Sequence, residues 1–301
     1  MYDIIIIGAG PAGLTSAIYT ARARKKVLVL EASAYGGQII NTLNIDNYPA
    51  VPHIDGYTFA TNVYNQAKEL GAEIKFEKVI DIENNEIKKV ITSNNEYEAK
   101  AIIIATGCGI KKLNIDNEDK FQGRGISYCA TCDGAFYKGK EVGIVGGGNT
   151  ALEDALYLSD IASKVYLIHR RDSFRGEDRY YEKLKSKANV EFIFNSNVTS
   201  LFGDESLESI EVTNNENDKK NIALSGLFVA IGRIPENANF SKLIDINSSG
   251  YVNANESCKT NVEGIFVAGD CRAKSLRQLV TATSDGAVAA TEAIKYINKI
   301  K

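Results

Sequence analysis

The chain has 301 residues, with 35 Lys and Arg against 38 Asp and Glu and a formal net charge of −3. That length is about twice the usual domain, which predicts two domains with cores large enough to need no disulfide staples, and the charge gives no basic face for nucleic acid or an anionic membrane. Hydrophobic residues at 44% and charged residues at 24% exclude a disordered chain, and the longest apolar runs, at residues 4–12 and 101–105, are too short to cross a bilayer.

Met1-Tyr2-Asp3 runs directly into Ile4-Ile5-Ile6-Ile7, and the first basic residue is Arg22, which is not the pattern of a secretory signal. A cytoplasmic location is the expectation, so Cys108, Cys129, Cys132, Cys258 and Cys271 are not read as a structural disulfide framework. A strand at 4–7, a glycine turn, a helix from 12 to about 24 and a second strand at 27–30 make a βαβ unit. Within it, Gly8-Ala9-Gly10-Pro11-Ala12-Gly13 leaves the strand and opens the helix, as a dinucleotide fingerprint must. Gly8 makes the tight turn, Gly10 lets the backbone approach a pyrophosphate, and Gly13 allows close helix-to-strand packing, while the helix N-terminus faces the phosphates. Glu31 ends the second strand, where its carboxylate can accept from both ribose hydroxyls. Residues 76–98, with alternating apolar and charged positions, read as meander strands.

The same plan recurs mid-chain: a strand at 141–145, then Gly146-Gly147-Gly148-Asn149-Thr150-Ala151, a helix to about 162, and a strand at 164–168. From Gly8 to Glu31 is 23 positions, and from Gly146 to His169 is also 23. His169 thus stands in the place of the ribose-binding acid, followed by Arg170, Arg171 and Arg175. Guanidinium groups suit a 2′-phosphate through bidentate charge-assisted bonds, whereas Glu31 would repel one. The first turn is therefore expected to take FAD or NAD, and the second NADPH, with His169 as a phosphate or ribose contact.

Before the second glycine turn stands Cys129-Ala130-Thr131-Cys132-Asp133. Half a zinc site would need two further ligands, yet Cys108, Cys258 and Cys271 are isolated and the two histidines are His53 and His169, so no metal is expected. The remaining reading is a dithiol that cycles with a disulfide. Beside two nucleotide turns, it forms the last station of a two-electron route.

The stretch Gly123 to Gly134, together with Gly146 to Ala151 and His169-Arg170-Arg171-Asp172-Ser173-Phe174-Arg175, resembles the bacterial low-molecular-weight thioredoxin reductases. The similarity extends over Gly36-Gly37-Gln38, Ile104-Ala105-Thr106-Gly107, Gly232-Arg233-Ile234-Pro235, Gly269-Asp270 and Arg277-Gln278. It implies a homodimer with one FAD per subunit that reduces thioredoxin, or a thioredoxin-like protein, with NADPH. The implied fold is α/β, with two Rossmann-like dinucleotide-binding domains, the NADPH domain (113–240, carrying the redox C-x-x-C) inserted into a discontinuous FAD domain (1–112 and 241–301). By the same carry-over, Gly36, Gly37, Gln38, Asn47, Ala105, Thr106, Gly107, Gly269, Asp270, Arg277 and Gln278 would line FAD, and Gly146, Gly148, Asn149 and Thr150 would hold NADPH. Cys132 would face the flavin, Cys129 would attack the partner disulfide, and Asp133 would serve the thiols as acid or base. Larger disulfide reductases place their cysteines after the first βαβ unit, where residues 36–50 here contain none. A ferredoxin-fed flavin thioredoxin reductase, a related flavin disulfide reductase with another small-protein acceptor and a non-catalytic redox sensor remain as alternatives.

Overall fold

Ile4, Ile5, Ile6 and Ile7 point alternately to opposite faces of a strand and all four are buried, which requires a sheet covered on both sides. Ile4 and Ile6 belong to one core and Ile5 and Ile7 to another, so the parity of the strand divides the hydrophobic interior. The computed structural model describes every residue except Leu43, Pro52 and Lys301, and describes Asn41 by its backbone. The chain divides into a unit formed by Met1–Gly109 with Ile234–Lys301, and a unit formed by Ile110–Arg233.

The first unit begins with β1 (Tyr2–Ile7), α1 (Pro11–Arg22), β2 (Val27–Glu31), α2 (Gly56–Glu69), β3 (Glu73–Phe76), β4 (Val79–Glu83), β5 (Lys88–Thr92) and β6 (Glu96–Ile104). Its sheet runs β3-β2-β1-β6-β5-β4. The pairs β1–β2, β2–β3 and β1–β6 are parallel, as βαβ crossovers demand, and β4–β5–β6 is the antiparallel meander expected over 76–98. Short strand β7 (Cys108–Ile110) then leads out of this unit.

The second unit holds α3 (Glu118–Phe121), β8 (Ile126–Ser127), α4 (Ala130–Asp133), β9 (Glu141–Gly146), α5 (Asn149–Ser159), β10 (Lys164–Ile168), α6 (Asp178–Lys185) and β11 (Val190–Ile193). It continues with β12 (Ser196–Phe202), β13 (Ser209–Asn214), β14 (Lys219–Ala223) and β15 (Gly226–Ala230), and leaves through β16 (Arg233–Pro235), which pairs with β7. A parallel sheet in the order β11-β10-β9-β15-β8 is covered on one face by α5, through Leu152, Ala155 and Leu158, and on the other by the antiparallel β12-β13-β14 layer, through Val198, Ile210 and Val212. The chain crosses between the units at Gly109/Ile110 and Arg233/Ile234, within these short strands.

Returning to the first unit, β17 (Ile265–Val267) pairs in parallel with the end of β6, and α7 (Leu279–Lys299) packs along α1. The two helices meet backbone to backbone, since a Cβ on Gly286 would lie 2.3 Å from the carbonyl oxygen of Ala12. Ser16 seals the contact: its hydroxyl lies 3.0 Å from the carbonyl oxygens of both Ala12 and Gly286, which share its single O–H donor. Among the described residues no helix is long and apolar enough to cross a membrane. Gly286→Ala should lower the urea midpoint of unfolding by the equivalent of about 1–3 kcal/mol, because overpacking outweighs the roughly 1 kcal/mol gained in helix propensity. An unchanged or raised midpoint would show that the α1–α7 contact yields without cost.

Candidate active site

In the first unit the fingerprint closes by steric necessity. Gly8 has φ +107°, and a Cβ there would lie 2.3 Å from the carbonyl oxygen of Ala105, while a Cβ on Gly13 would lie 1.9 Å from that of Gly8. Gly10 differs, for the nearest atom to its Cβ position is the Cα of Gly37 at 4.0 Å. The second glycine therefore leaves open space at the N-terminus of α1, where Pro11 occupies the first helical position. Glu31 ties the turn together, accepting from the Ala9 N–H through Oε2 (2.8 Å) and the Ser33 N–H through Oε1 (3.0 Å). Gly36, at φ +103°, donates its N–H to the Ala9 carbonyl (2.8 Å), so Gly36-Gly37 folds onto the same turn and exposed Gln38 follows it.

The later segments converge on this region. Gly269, at φ +82°, would bring a Cβ within 2.8 Å of the Ala12 Cβ, placing Gly269-Asp270 beside the start of α1. Thr106 donates to the Asn237 side chain (3.0 Å), and Asn237 donates in turn to the Cys271 carbonyl (3.0 Å), which links the Ala105-Thr106-Gly107 strand end to the Gly269–Cys271 turn. Gly107 has open space around its Cβ position. Arg277 donates to the Asp270 carbonyl (3.3 Å) and lies over the Tyr251 ring, and Gln278 caps α7 while accepting from the Asn47 amide (3.1 Å). Asn237, 1% exposed, joins two of the expected segments and carries no sequence signal of its own. An open cradle over Gly10, a helix N-terminus and a carboxylate at the end of β2 together fit a dinucleotide.

In the second unit the turn repeats with different chemistry. A Cβ on Gly146 would lie 2.5 Å from the Ala230 carbonyl oxygen, whereas Gly148 has nothing within 4 Å, so it reproduces the open position of Gly10 at the start of α5. Asn149 locks that start to α6, accepting from the Glu177 N–H (2.8 Å) and donating to its carboxylate (3.1 Å), with exposed Thr150 beside it. The Arg175 and Gly176 N–H groups both donate to the Gly147 carbonyl (2.7 and 3.1 Å), which folds the arginine loop back against the glycine turn. Arg170, Arg171 and Arg175 are exposed there.

His169 is placed otherwise than its neighbours. It is 5% exposed, and a Cβ on Gly147 would lie 2.1 Å from its ring, so the imidazole packs directly under the glycine turn, with Phe174 5.3 Å away. Burial is the first cause of a lowered pKa, and the charges of Arg171, Arg175 and Arg170 add to it, so the ring is held neutral. Its Nε2 has no hydrogen-bond partner among the described residues.

The dithiol sits on the short helix α4, where Cys129 and Cys132 are bonded as a disulfide and both are half-buried. Asp133 follows on the same turn, with its N–H donating to the Cys129 carbonyl (3.1 Å). Ser127 organises the group: its hydroxyl donates to the Asp133 Oδ2 (2.6 Å) and accepts from the Cys129 N–H (3.1 Å). Burial pushes the Asp133 carboxyl up, and the Ser127 hydrogen bond opposes that rise. Elsewhere Cys108, Cys258 and Cys271 are buried, with burial pushing the Cys258 and Cys271 thiols up to about 12 and about 11, which leaves them unreactive as thiolates. His53 is exposed, 3.2 Å from the Asp46 carboxylate.

Residues 2–286 match the family of pyridine nucleotide-disulphide oxidoreductases. The thioredoxin reductase of Listeria innocua is 41% identical over 304 residues, covering 100% of this chain and 95% of that protein. That of Bacillus subtilis is 41% identical over 308 residues, covering 100% and 96% respectively. The crystal structure of thioredoxin reductase from Streptococcus pyogenes superposes with a TM-score of 0.95 at 37% identity, over 99% of both chains. With two glycine turns of dinucleotide-binding form and a disulfide-bonded C-x-x-C in place, the chain belongs to the pyridine nucleotide-disulphide oxidoreductase family.

Proposed function

We propose that this chain is an NADPH-dependent flavoprotein reductase that passes two electrons to the disulfide of thioredoxin, or of a thioredoxin-like protein, through Cys129 and Cys132. The observation that carries it is the half-buried Cys129–Cys132 disulfide, with Asp133 beside it, in the same unit as a glycine turn flanked by three exposed arginines. FAD, held by Gly8–Gly13, Glu31, Gly36-Gly37 and the Gly269-Asp270 turn, would supply the two-electron relay between nicotinamide and disulfide. We carry the homodimer and the cytoplasmic location of the resembled family as part of the same proposal.

The roles of the protein groups follow from their placement. Arg170, Arg171 and Arg175 would bind the 2′-phosphate of NADPH, with the open position at Gly148 and the N-terminus of α5 accommodating the pyrophosphate. His169 packs beneath that turn as a neutral ring and sets its height. Once reduced, the Cys129 thiolate attacks one sulfur of the partner disulfide and expels the other. Cys132 then attacks Cys129, re-forming the intramolecular disulfide and releasing a partner dithiol. Asp133 takes up and returns the proton of these thiols, and its raised pKa brings it nearer to the pH at which that exchange runs. Ser127 holds the carboxyl at the end of the helix.

Anaerobic addition of stoichiometric NADPH should bleach the flavin absorbance of the purified protein, and Cys132→Ser should retain the bleaching while losing thioredoxin reduction. A flavin that stays oxidised would point to another donor, ferredoxin first, and turnover retained in the variant would remove the dithiol from the route. Arg170→Ala with Arg171→Ala should reduce the preference for NADPH over NADH by about tenfold to a hundredfold, the scale of lost charge-assisted bonds. An unchanged ratio in steady-state kinetics would sink the 2′-phosphate assignment. Ser127→Ala removes the bond that opposes burial at Asp133, so the carboxyl should titrate still higher and the acidic limb of the kcat/KM profile for thioredoxin should move to higher pH. A limb that stays in place would show that it belongs to another group.

A further inference from the structure

Asp285 lies on the second turn of α7, 6% exposed, with Arg272 at 3% exposure beside it. One carboxylate gathers four bonds. Its Oδ1 accepts from Arg272 Nη2 (3.0 Å), and its Oδ2 accepts from Arg272 Nε (3.1 Å), Lys274 Nζ (2.9 Å) and the N–H of Gly269 (3.0 Å). Arg272 turns its Nη1 group to the Ala254 and Asn255 carbonyls, and Lys274 also reaches the Thr281 carbonyl in the first turn of α7. Two cations on one buried anion is a costly way to stabilise a helix contact, because well-packed apolar side chains of similar volume commonly serve as well or better. What such a cluster adds is fixed geometry.

We propose that Asp285, with Arg272 and Lys274, is the positioning group for the Gly269-Asp270 turn of the FAD site. The inference rests on the FAD reading above and assigns to it residues that do not themselves line the cradle. The bond to the Gly269 N–H fixes the first residue of the turn at its left-handed conformation, φ +82°, and Arg277 also holds the turn through the Asp270 and Arg272 carbonyls. The next residue along α7, Gly286, is the one pressed against the Ala12 carbonyl at the start of α1. Adjacent positions of a single helix therefore touch both cofactor turns. Gly286 registers α7 on the fingerprint turn, Asp285 registers the Gly269-Asp270 turn on α7, and the spacing between the two halves of the cradle is set by that helix.

The test compares two ligands on the full chain stripped of flavin: FAD, which needs both turns, followed by flavin fluorescence, and ADP, which needs the Gly8–Gly13 turn and Glu31, followed by calorimetry. Asp285→Asn should weaken FAD by about tenfold to a hundredfold, the loss expected for bonds to a charged group, and leave ADP within about twofold. Lys274→Met, which keeps the Arg272–Asp285 pair and secures the measurement should Asp285→Asn not fold, should weaken FAD by about threefold, again without affecting ADP. Equal losses for the two ligands would mean a general loosening of the unit and would overturn the proposal, as would unchanged FAD affinity. Wild-type protein that binds ADP but not FAD would instead remove the FAD reading, and the positioning role with it.

Discussion

A methyl group at the Cα of Gly13 would sit 1.9 Å from the carbonyl oxygen of Gly8, and one at Gly8 would sit 2.3 Å from that of Ala105. These absences of side chain let α1 start directly at the end of β1 and let β6 lie beside both. Several segments of the expected cradle are placed from this contact. Gly36 bonds to Ala9 within the turn, Glu31 holds the Ala9 N–H, Gly269 approaches the Ala12 side chain, and α7 comes down on the Ala12 carbonyl at Gly286. Close backbone approach leaves no room for adjustment, so the segments share one geometry rather than merely neighbouring one another.

The second unit uses the same backbone device under opposite electrostatics. Where Glu31 closes the first turn by accepting N–H groups, the equivalent position carries a neutral imidazole packed under Gly147, and the charge has moved outward to three exposed guanidinium groups. Burial there disfavours a cation, the three arginines add to that, and the depressed pKa of His169 is the consequence. The chain thereby keeps the same turn shape in both units while the charge beside it differs in sign, and the proposed discrimination between a bare ribose and a phosphorylated one rests on that difference.

Two desolvated carboxylates, Asp133 half-buried and Asp285 buried, illustrate how surroundings set a carboxyl's charge. Asp133 has one opposing influence against burial, the Ser127 hydroxyl, and its pKa is raised, which suits the proton exchange with thiols proposed for it. Asp285 is also desolvated, yet Arg272 and Lys274 hold it below the usual carboxylate range, which suits a fixed charge that never titrates in use. Burial is common to both, and the partners set opposite outcomes.

The periodic and spaced features were legible in the chain itself: the buried isoleucine strand, the two glycine turns 23 positions from their respective partner residues, the arginine loop and the C-x-x-C. Each depends on residues within about thirty positions and on glycine or cysteine chemistry that has few alternative readings. Ser127, Asn237, Arg272, Lys274 and Asp285 were not legible, since a serine, an asparagine and ordinary charged residues carry no spacing signature, and only the fold decides which partner each meets, even where that partner is near in sequence as for Ser127 and Asp133 or Arg272 and Asp285. For Asn237 the donor, Thr106, stands 131 positions away. His169 shows the boundary most clearly. Its position in the repeat was countable, but that its ring packs against Gly147 and Phe174 depended on the space left by that glycine and on the neighbouring rings, and that is a property of the packed tertiary structure.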